Sequence, residues 1–358
     1  MSRQRILAIN PGSTSTKIAV FEGLKQIFLK NIKHTSEEIG QFKNITDQYE
    51  FRKNIILDEI KLAGIEIETL SIIVGRGGMV KPIPSGVYAI NEKMLADLRV
   101  GLMGQHASNL GGLIADDIAK SIEGARAFIA DPVVVDEFDD IARISGHPLF
   151  QRQSIFHALN QKATARTHAK TNGKKYEEMN LIVAHLGGGI SVGAHKKGRV
   201  IDVNQALDGE GPFSPERSGT LPAGALVKMC FSNKYSFVEI SKMITGQGGF
   251  VAYLGTNDAY KVEQAAAAGD EKAKLIHDAM AYQTAKEIGA MSTVLMGDID
   301  GIILTGGIAY GKPFVDEVTK RVQHLAPVFV YPGEDEMKSL AMNGLMILNG
   351  EVEAKEYK

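Results

Sequence analysis

The chain has 358 residues, 44% of them hydrophobic, with 40 basic and 42 acidic side chains and a formal net charge of -2. That length supports a sizeable core and two domains more readily than one, and the near balance of charge supplies no global field for nucleic acid or an anionic membrane. One cysteine, Cys230, excludes an internal disulfide and a cysteine-based metal site.

The first residues, Met-Ser-Arg-Gln-Arg, lead straight into a strand-like run without the apolar core of a signal segment. No uninterrupted apolar stretch approaches the ~20 residues of a membrane helix, so a cytoplasmic protein is expected. Strands are predicted over Arg5 to Asn10, Thr16 to Phe21, Leu70 to Val74, Gly86 to Asn91, Ala125 to Ala130, Leu181 to His185, Ile190 to Ala194, Val200 to Val203, Gly301 to Thr305 and Pro327 to Tyr331. Helical patterns cover Glu50 to Leu62, Ala107 to Ser121, Ile155 to Thr171, Leu275 to Met296, Pro313 to His324 and Met337 to Leu348. Short β-branched runs alternating with longer helices predict an α/β architecture. The turn-rich segment Glu137 to Gln153, which holds Gly146-His-Pro148, is the best site for a domain crossing. Cys230 sits in the apolar stretch Leu226-Val-Lys-Met-Cys-Phe231 and is expected to be buried and inert.

Between the first two strands stands Asn10-Pro-Gly12-Ser-Thr-Ser-Thr16-Lys17. Those small residues suit an ordinary hairpin turn and equally a phosphate cradle, because no bulky side chain keeps an anion from the backbone N–H groups. The pattern returns in Asn180 to Ala194, where His185-Leu-Gly187 takes the place of Asn10-Pro-Gly12. Chance likeness of two hairpins is the bland reading; the sharper one is two domains of related fold facing each other across a cleft, each offering a loop to phosphates. A third glycine-rich stretch, Gly301-Ile-Ile-Leu-Thr305-Gly-Gly-Ile-Ala-Tyr-Gly311-Lys312-Pro313, nearly matches a P-loop. Proline stands where the magnesium-binding hydroxyl belongs, and proline suits a first helical turn, so a P-loop is not expected. Gly306 and Gly307 still imply a close neighbour, either a packed strand or the face and ribose of an adenosine.

Taken together, Asn10-Pro-Gly-Ser-Thr-Ser-Thr-Lys17, His185-Leu-Gly-Gly-Gly-Ile-Ser191, Glu216-Arg-Ser-Gly-Thr-Leu221 and Thr305-Gly-Gly-Ile308 resemble the acetate kinase family over nearly the whole chain. That family belongs to the group containing sugar kinases, actin and heat-shock chaperone ATPases. Gly75-Arg-Gly-Gly-Met-Val-Lys-Pro-Ile-Pro-Ser-Gly-Val-Tyr88, Gly104-Gln-His-Ala-Ser-Asn-Leu-Gly-Gly112 and Gly209-Glu-Gly-Pro-Phe-Ser-Pro-Glu-Arg-Ser-Gly219 are most similar to its butyrate-acting members. The resemblance implies two duplicated ribonuclease-H-like, actin-like ATPase domains with a nucleotide cleft between them. Residues 1–150 plus 333–358 would form the acyl-substrate side and residues 151–332 the nucleotide side. It further implies reversible phosphoryl transfer between ATP and a short-chain carboxylate, with ATP/ADP as co-substrate, Mg2+ as cofactor and a homodimer or higher homo-oligomer as the assembly.

Such a transfer brings two anions together, so it depends on in-line positioning and on neutralising the equatorial oxygens. A carboxylate is already ionised at neutral pH, which removes the need for a general base. Arg76 and Arg217 match the family arginines that hold the carboxylate and the phosphoryl group, and a guanidinium can grip an oxyanion bidentately. His185 matches its strand-end histidine, a donor to the transferring group; His157 resembles a second active-site histidine and His106 a third, near the substrate. Asn10, Ser13, Thr14, Lys17, Gly187, Gly188, Gly189, Gly306, Gly307 and Ile308 are the expected nucleotide and phosphate contacts, although Lys17 could equally face solvent. Asn10 and Glu336 are the expected metal-site residues and Asp131 an acidic member of the catalytic set; Glu334 and Asp335 compete with Glu336, and Asp136 with Asp131.

Two departures stand out. Gly188 replaces the asparagine of acetate kinases, so a side-chain amide contact to a phosphate is either missing or replaced by backbone N–H. Gly77 and Gly78 replace bulky β-branched residues around Arg76, which predicts room for a longer acid, butyrate or isobutyrate, at about 0.8 kcal/mol per buried methylene. The competing expectations are an acetate or propionate kinase and, outside enzymes of this kind, an ATP-driven actin-like protein.

Overall fold

The apolar, β-branched runs form strands in two separate sheets of a computed structural model that describes residues 5–358. The chain divides into two compact units, Met1–Val135 with Asp335–Lys358, and Asp136–Glu334. The first crossing therefore precedes position 150. The segment after Val135 is tied to the second unit: Asp139 N donates to Ile201 O at 3.1 Å, and the Glu137 carboxylate takes the Lys162 ammonium at 2.6 Å and Val200 N at 2.9 Å.

In the first unit lie β1 (Arg5–Pro11), β2 (Ser15–Glu22), β3 (Lys25–Lys33), β4 (Leu70–Arg76), β5 (Val87–Ala89) and β6 (Arg126–Ala130), with α1 (Ser36–Gly40), α2 (Tyr49–Leu62), α3 (Glu92–Val100) and α4 (Asn109–Lys120). In the second lie β7 (Asn180–Leu186), β8 (Ile190–Lys196), β9 (Arg199–Val203), β10 (Gly301–Gly306) and β11 (Val328–Pro332). Its helices are α5 (Ala158–Thr171), α6 (Ala223–Cys230), α7 (Phe237–Ile244), α8 (Gly249–Leu254), α9 (Ala259–Ala267), α10 (Glu271–Val294) and α11 (Lys312–Val322). The chain then returns to the first unit with α12 (Glu336–Leu348) and β12 (Lys355–Glu356).

The first sheet runs β12-β5-β6-β4-β1-β2-β3 and the second β11-β10-β7-β8-β9. In each, three parallel strands, β6-β4-β1 or β11-β10-β7, continue into an antiparallel meander, β1-β2-β3 or β7-β8-β9. The five-stranded pattern is thus built twice. Strand alternation sorts the first unit's core: Gly344 of α12 lies against Ile6, Ile72 and Val74, whereas Gly75, on the other face of β4, lets α4 approach so closely that a Cβ there would meet Gly111 O at 2.2 Å.

β3, β12, α1, α3 and the helices α6 to α9 are elements the sequence did not signal. β3 is mostly exposed and rich in lysine, so it lacks an apolar alternation, as suits an edge strand. Cys230 corrects the expectation of burial. It is exposed, because α6 buries none of its residues and its apolar composition does not mark core. Among the described residues no helix is long and apolar enough to cross a membrane.

Candidate functional site

The recurrence at Asn10 and His185 has a matched structural basis. β1 and β7 each have seven residues; Asn10 and His185 are their penultimate members, and loops of the same length follow, Gly12-Ser-Thr14 and Gly187-Gly-Gly189.

In the first unit the loop tip closes through Gly12 N to Ser15 O at 2.7 Å, leaving Ser13 and Thr14 exposed, while Lys17 on β2 is half-exposed opposite Asn10. The tip is anchored by a residue that sequence reasoning passed over. Arg52 of α2, only 1% exposed, donates to Gly12 O at 2.7 Å, to Ser13 O, Ser15 O and Thr16 Oγ1 each at 3.1 Å, and to Gln48 Oε1 at 2.7 Å. Burial pulls its pKa down to about 10. Drawing the tip's carbonyls inward onto a cation is what such a turn requires if its N–H groups are to meet an anion. A lone arginine in a charged helix reads as surface, so no sequence signal marked it.

Asn10, Arg76 and Glu336 come together where β1, β4 and α12 meet. Arg76 Nη1 lies 2.6 Å from Glu336 Oε1 and 3.2 Å from Asn10 Oδ1, and Asn10 Nδ2 donates to Glu336 Oε2. The three neighbouring acids separate cleanly. Glu336 joins this cluster, Asp335 caps α12 by accepting Lys338 N at 2.9 Å, and Glu334 lies in the other unit. Asp131, 2% exposed and at φ +36°, accepts Ser85 Oγ at 2.6 Å and Gly86 N at 2.9 Å. Asp136 instead pairs with both Nη atoms of Arg143, at 2.6 and 2.9 Å.

His106 is exposed, and its Nδ1 accepts Ser108 N at 3.1 Å, which puts the ring proton on Nε2. The room expected at Gly77 and Gly78 is filled by protein. A Cβ on Gly77 would stand 2.5 Å from Pro132 Cβ, and one on Gly78 would stand 2.6 Å from Asn109 Cα and 2.8 Å from Leu98 Cδ2. These glycines admit neighbouring residues of the chain, not substrate, and buried Asn109 fixes the turn by accepting Met79 N at 2.8 Å.

In the second unit His185 is 1% exposed and stacks on His157 with ring centroids 3.8 Å apart and planes 14° from parallel. Its Nδ1 is 2.8 Å from Oδ1 of Asn160 on α5, and its Nε2 is 3.7 Å from Glu334 Oε2. The loop glycines wrap these side chains. A Cβ on Gly187 would stand 2.8 Å from His185 Nε2, and one on Gly189 would stand 1.9 Å from Arg217 Nη1; at Gly188 the nearest atom, Glu216 Oε2, is 3.6 Å away. Arg217 Nη1 donates to Ala206 O at 2.6 Å, and among the described residues no carboxylate forms an ion pair with its guanidinium. Burial lowers its pKa, opposed by the neighbouring Glu216 carboxylate. A desolvated cation satisfied by a carbonyl is suited to an incoming oxyanion.

The near-P-loop is none. Pro313 stands in the first turn of α11, Lys312 pairs with Asp316, and Gly306, at φ +91°, is required because a Cβ would meet Leu186 O at 2.4 Å. Gly307 has open space beside it and, with Ile308, Tyr310, Gly311, Glu263 and His277, lines a cavity of about 210 Å³. The buried Nε2 of His277 has no hydrogen-bond partner among the described residues.

The chain is similar to proteins of known family along its whole length. A family model described as the acetokinase family matches residues 148–336. Butyrate kinase 1 and butyrate kinase 2 of Clostridium acetobutylicum are 59% and 58% identical over 354 residues, spanning 99% of this chain and 99% of each of theirs. Among solved structures, acetate kinase of Porphyromonas gingivalis superposes with a TM-score of 0.77 at 20% identity, covering 96% of this chain and 100% of that one. A propionate kinase from Francisella tularensis subsp. tularensis SCHU S4 gives 0.73 at 20% identity, covering 95% and 98%.

Proposed function

Because the chain belongs to the acetokinase family, we propose that it transfers the γ-phosphoryl group of ATP reversibly to a short-chain carboxylate, butyrate foremost, yielding the acyl phosphate and ADP. The observation that carries this reading is the 59% identity to a butyrate kinase over 99% of both chains. The butyrate preference rests on that likeness alone, since the glycines around Arg76 leave no space of their own.

In the forward direction a carboxylate oxygen attacks the γ-phosphorus, the new P–O bond forms, and the β–γ bridging bond breaks with its electron pair leaving on ADP. No proton has to move, so the chain's task is to hold charge and geometry. Arg76 binds the acid's carboxylate. Arg217 and His157 donate to the oxygens of the phosphoryl group, where charge gathers in the transition state, and His185, whose Nδ1–H goes to Asn160 Oδ1, donates there from Nε2 as the imidazolium. The tip held by Arg52 and the loop Gly187–Gly189 offer backbone N–H groups to the nucleotide phosphates. The cavity beside Gly307 and Ile308 takes the adenosine, with the unpartnered His277 Nε2 supporting a polar ligand there.

Asn10 Oδ1 and the Glu336 carboxylate, both turned toward Arg76, would be the oxygen donors for Mg2+, a hard cation that keeps most of its waters and needs only one or two carboxylates. When bound, the ion neutralises phosphate charge. Asp131, buried and held by Ser85 and Gly86, is the further acidic member of this set.

The test is acyl hydroxamate formation from ATP, Mg2+ and a series of straight and branched acids. Butyrate and isobutyrate should give the highest kcat/KM. Acetate in first place would sink the acid assignment, and no hydroxamate from any acid would sink the reaction. Gly189→Ala offers a second check, because its Cβ would clash with Arg217 Nη1 at 1.9 Å. A guanidinium displaced by about 1 Å should lower kcat about 100-fold, while urea unfolding shifts little, since the obstructed atom ends a flexible side chain. Wild-type kcat in that variant would show that the guanidinium's place is immaterial.

A further inference from the structure

Behind His157 a file of hydrogen bonds runs into the core of the second unit. His157 Nδ1 is 2.9 Å from Ser191 Oγ. Ser191 Oγ is 2.8 Å from Gln161 Nε2, which lies 3.0 Å from the Ser191 carbonyl oxygen as well. Gln161 Oε1 is 2.9 Å from His195 Nε2, and His195 Nδ1 is 2.7 Å from the Tyr176 hydroxyl. Gln161, Ser191 and His195 are fully buried and Tyr176 is 4% exposed.

The direction of each bond follows from what each atom is able to do. A peptide carbonyl only accepts, so the Gln161 atom beside Ser191 O is the amide nitrogen, and its oxygen must face His195. That oxygen only accepts, so His195 carries a proton on Nε2. Its Nδ1 is then bare and receives the Tyr176 O–H, in keeping with burial that holds this imidazole neutral. Ser191 Oγ accepts from Gln161 Nε2 and, at 3.4 Å, from His157 N. Both its lone pairs are engaged, so its hydroxyl proton remains to be donated, and His157 Nδ1 is the acceptor beside it.

We infer that Gln161 is a positioning residue that, acting through Ser191, holds His157 in the tautomer with a bare Nδ1 and its proton on Nε2. The tautomer follows from the hydrogen bonds at Ser191 and Gln161; its consequence, an Nε2–H able to donate to a phosphoryl oxygen, rests on the kinase reading. The file would also hold the His157 ring in its stack on His185, since rotation about χ2 would break the bond to Ser191.

The experiment is imidazole 15N NMR on the full chain labelled at histidine, with His157→Gln assigning the resonance. The expected spectrum has a pyridine-like Nδ1 and a pyrrole-like Nε2 at His157. Ser191→Ala and Gln161→Leu should move both nitrogens toward a tautomer average and lower kcat about 10- to 100-fold, with KM for ATP and acid changed less than about threefold. Ser191→Thr, which keeps the hydroxyl, should restore the wild-type spectrum. A protonated Nδ1 at His157 in the wild type would overturn the inference, as would an unaltered His157 spectrum in Gln161→Leu. Should Gln161→Leu not fold, the wild-type and Ser191 spectra decide. Absence of acyl phosphate with any acid would refute the kinase reading and leave the tautomer to the spectrum.

Discussion

Arg217→Ala is expected to lower kcat/KM for acyl phosphate formation by about 1,000- to 100,000-fold, the range lost when an arginine that stabilises a phosphoryl transition state is removed. The size of the effect follows from its surroundings. The guanidinium is half-buried, pressed against Gly189 and bonded to Ala206 O, with no ion-pairing carboxylate among the described residues to weaken its pull on an oxyanion. Stability should fall much less than activity. Removing the side chain leaves one carbonyl short of a donor, about 1–3 kcal/mol if that oxygen stays dry, and it also relieves the desolvation of a charge. Arg217→Lys should recover little, because a point charge cannot reproduce the planar fork. Hydroxamate assays beside thermal melts check this; a folded Arg217→Ala enzyme of undiminished turnover would contradict the assignment.

Arg52→Met should have the largest structural effect among single changes at the β1–β2 and β7–β8 loops. Arg52 joins α2 to the β1–β2 tip through three carbonyls, a hydroxyl and an amide oxygen, and methionine fills the volume without replacing any of these bonds. Hydrogen bonds to a charged group are each worth about 1.5–3 kcal/mol, but some of these carbonyls can turn to water, so a net loss of about 3 kcal/mol is expected. Urea unfolding measures it, and KM for ATP should rise as the tip loses its shape. A midpoint equal to wild type would show that the tip holds itself. Arg52→Lys should fall between, since one ammonium can reach only part of the set.

The distribution of these residues explains what the sequence could and could not reveal. The repeated strand-loop-strand pattern was legible because Asn10 and His185 each stand one residue before a strand end, with small residues next, and the second sheet repeats the strand pattern of the first. Arg52, Gln161, Asn160 and Asn109 were not legible. Each acts by reaching across to another element, and nothing local distinguishes a buried polar residue on a helix from a solvated one. Gly77 and Gly78 misled for the same reason, since a missing side chain suggests space and only packing against Pro132, Asn109 and Leu98 shows it filled. The apolar α6 misled in the opposite direction, for a helix of apolar composition that buries none of its residues leaves Cys230 on the surface.

The most direct measurement is 31P NMR of the enzyme with ATP, Mg2+ and butyrate carrying 18O in both carboxylate oxygens. The expected result is a butyryl phosphate resonance with the upfield isotope shift of a bridging 18O, because the carboxylate oxygen itself attacks the γ-phosphorus. Turnover of ATP to ADP and inorganic phosphate, with no acyl phosphate at any time, would contradict it.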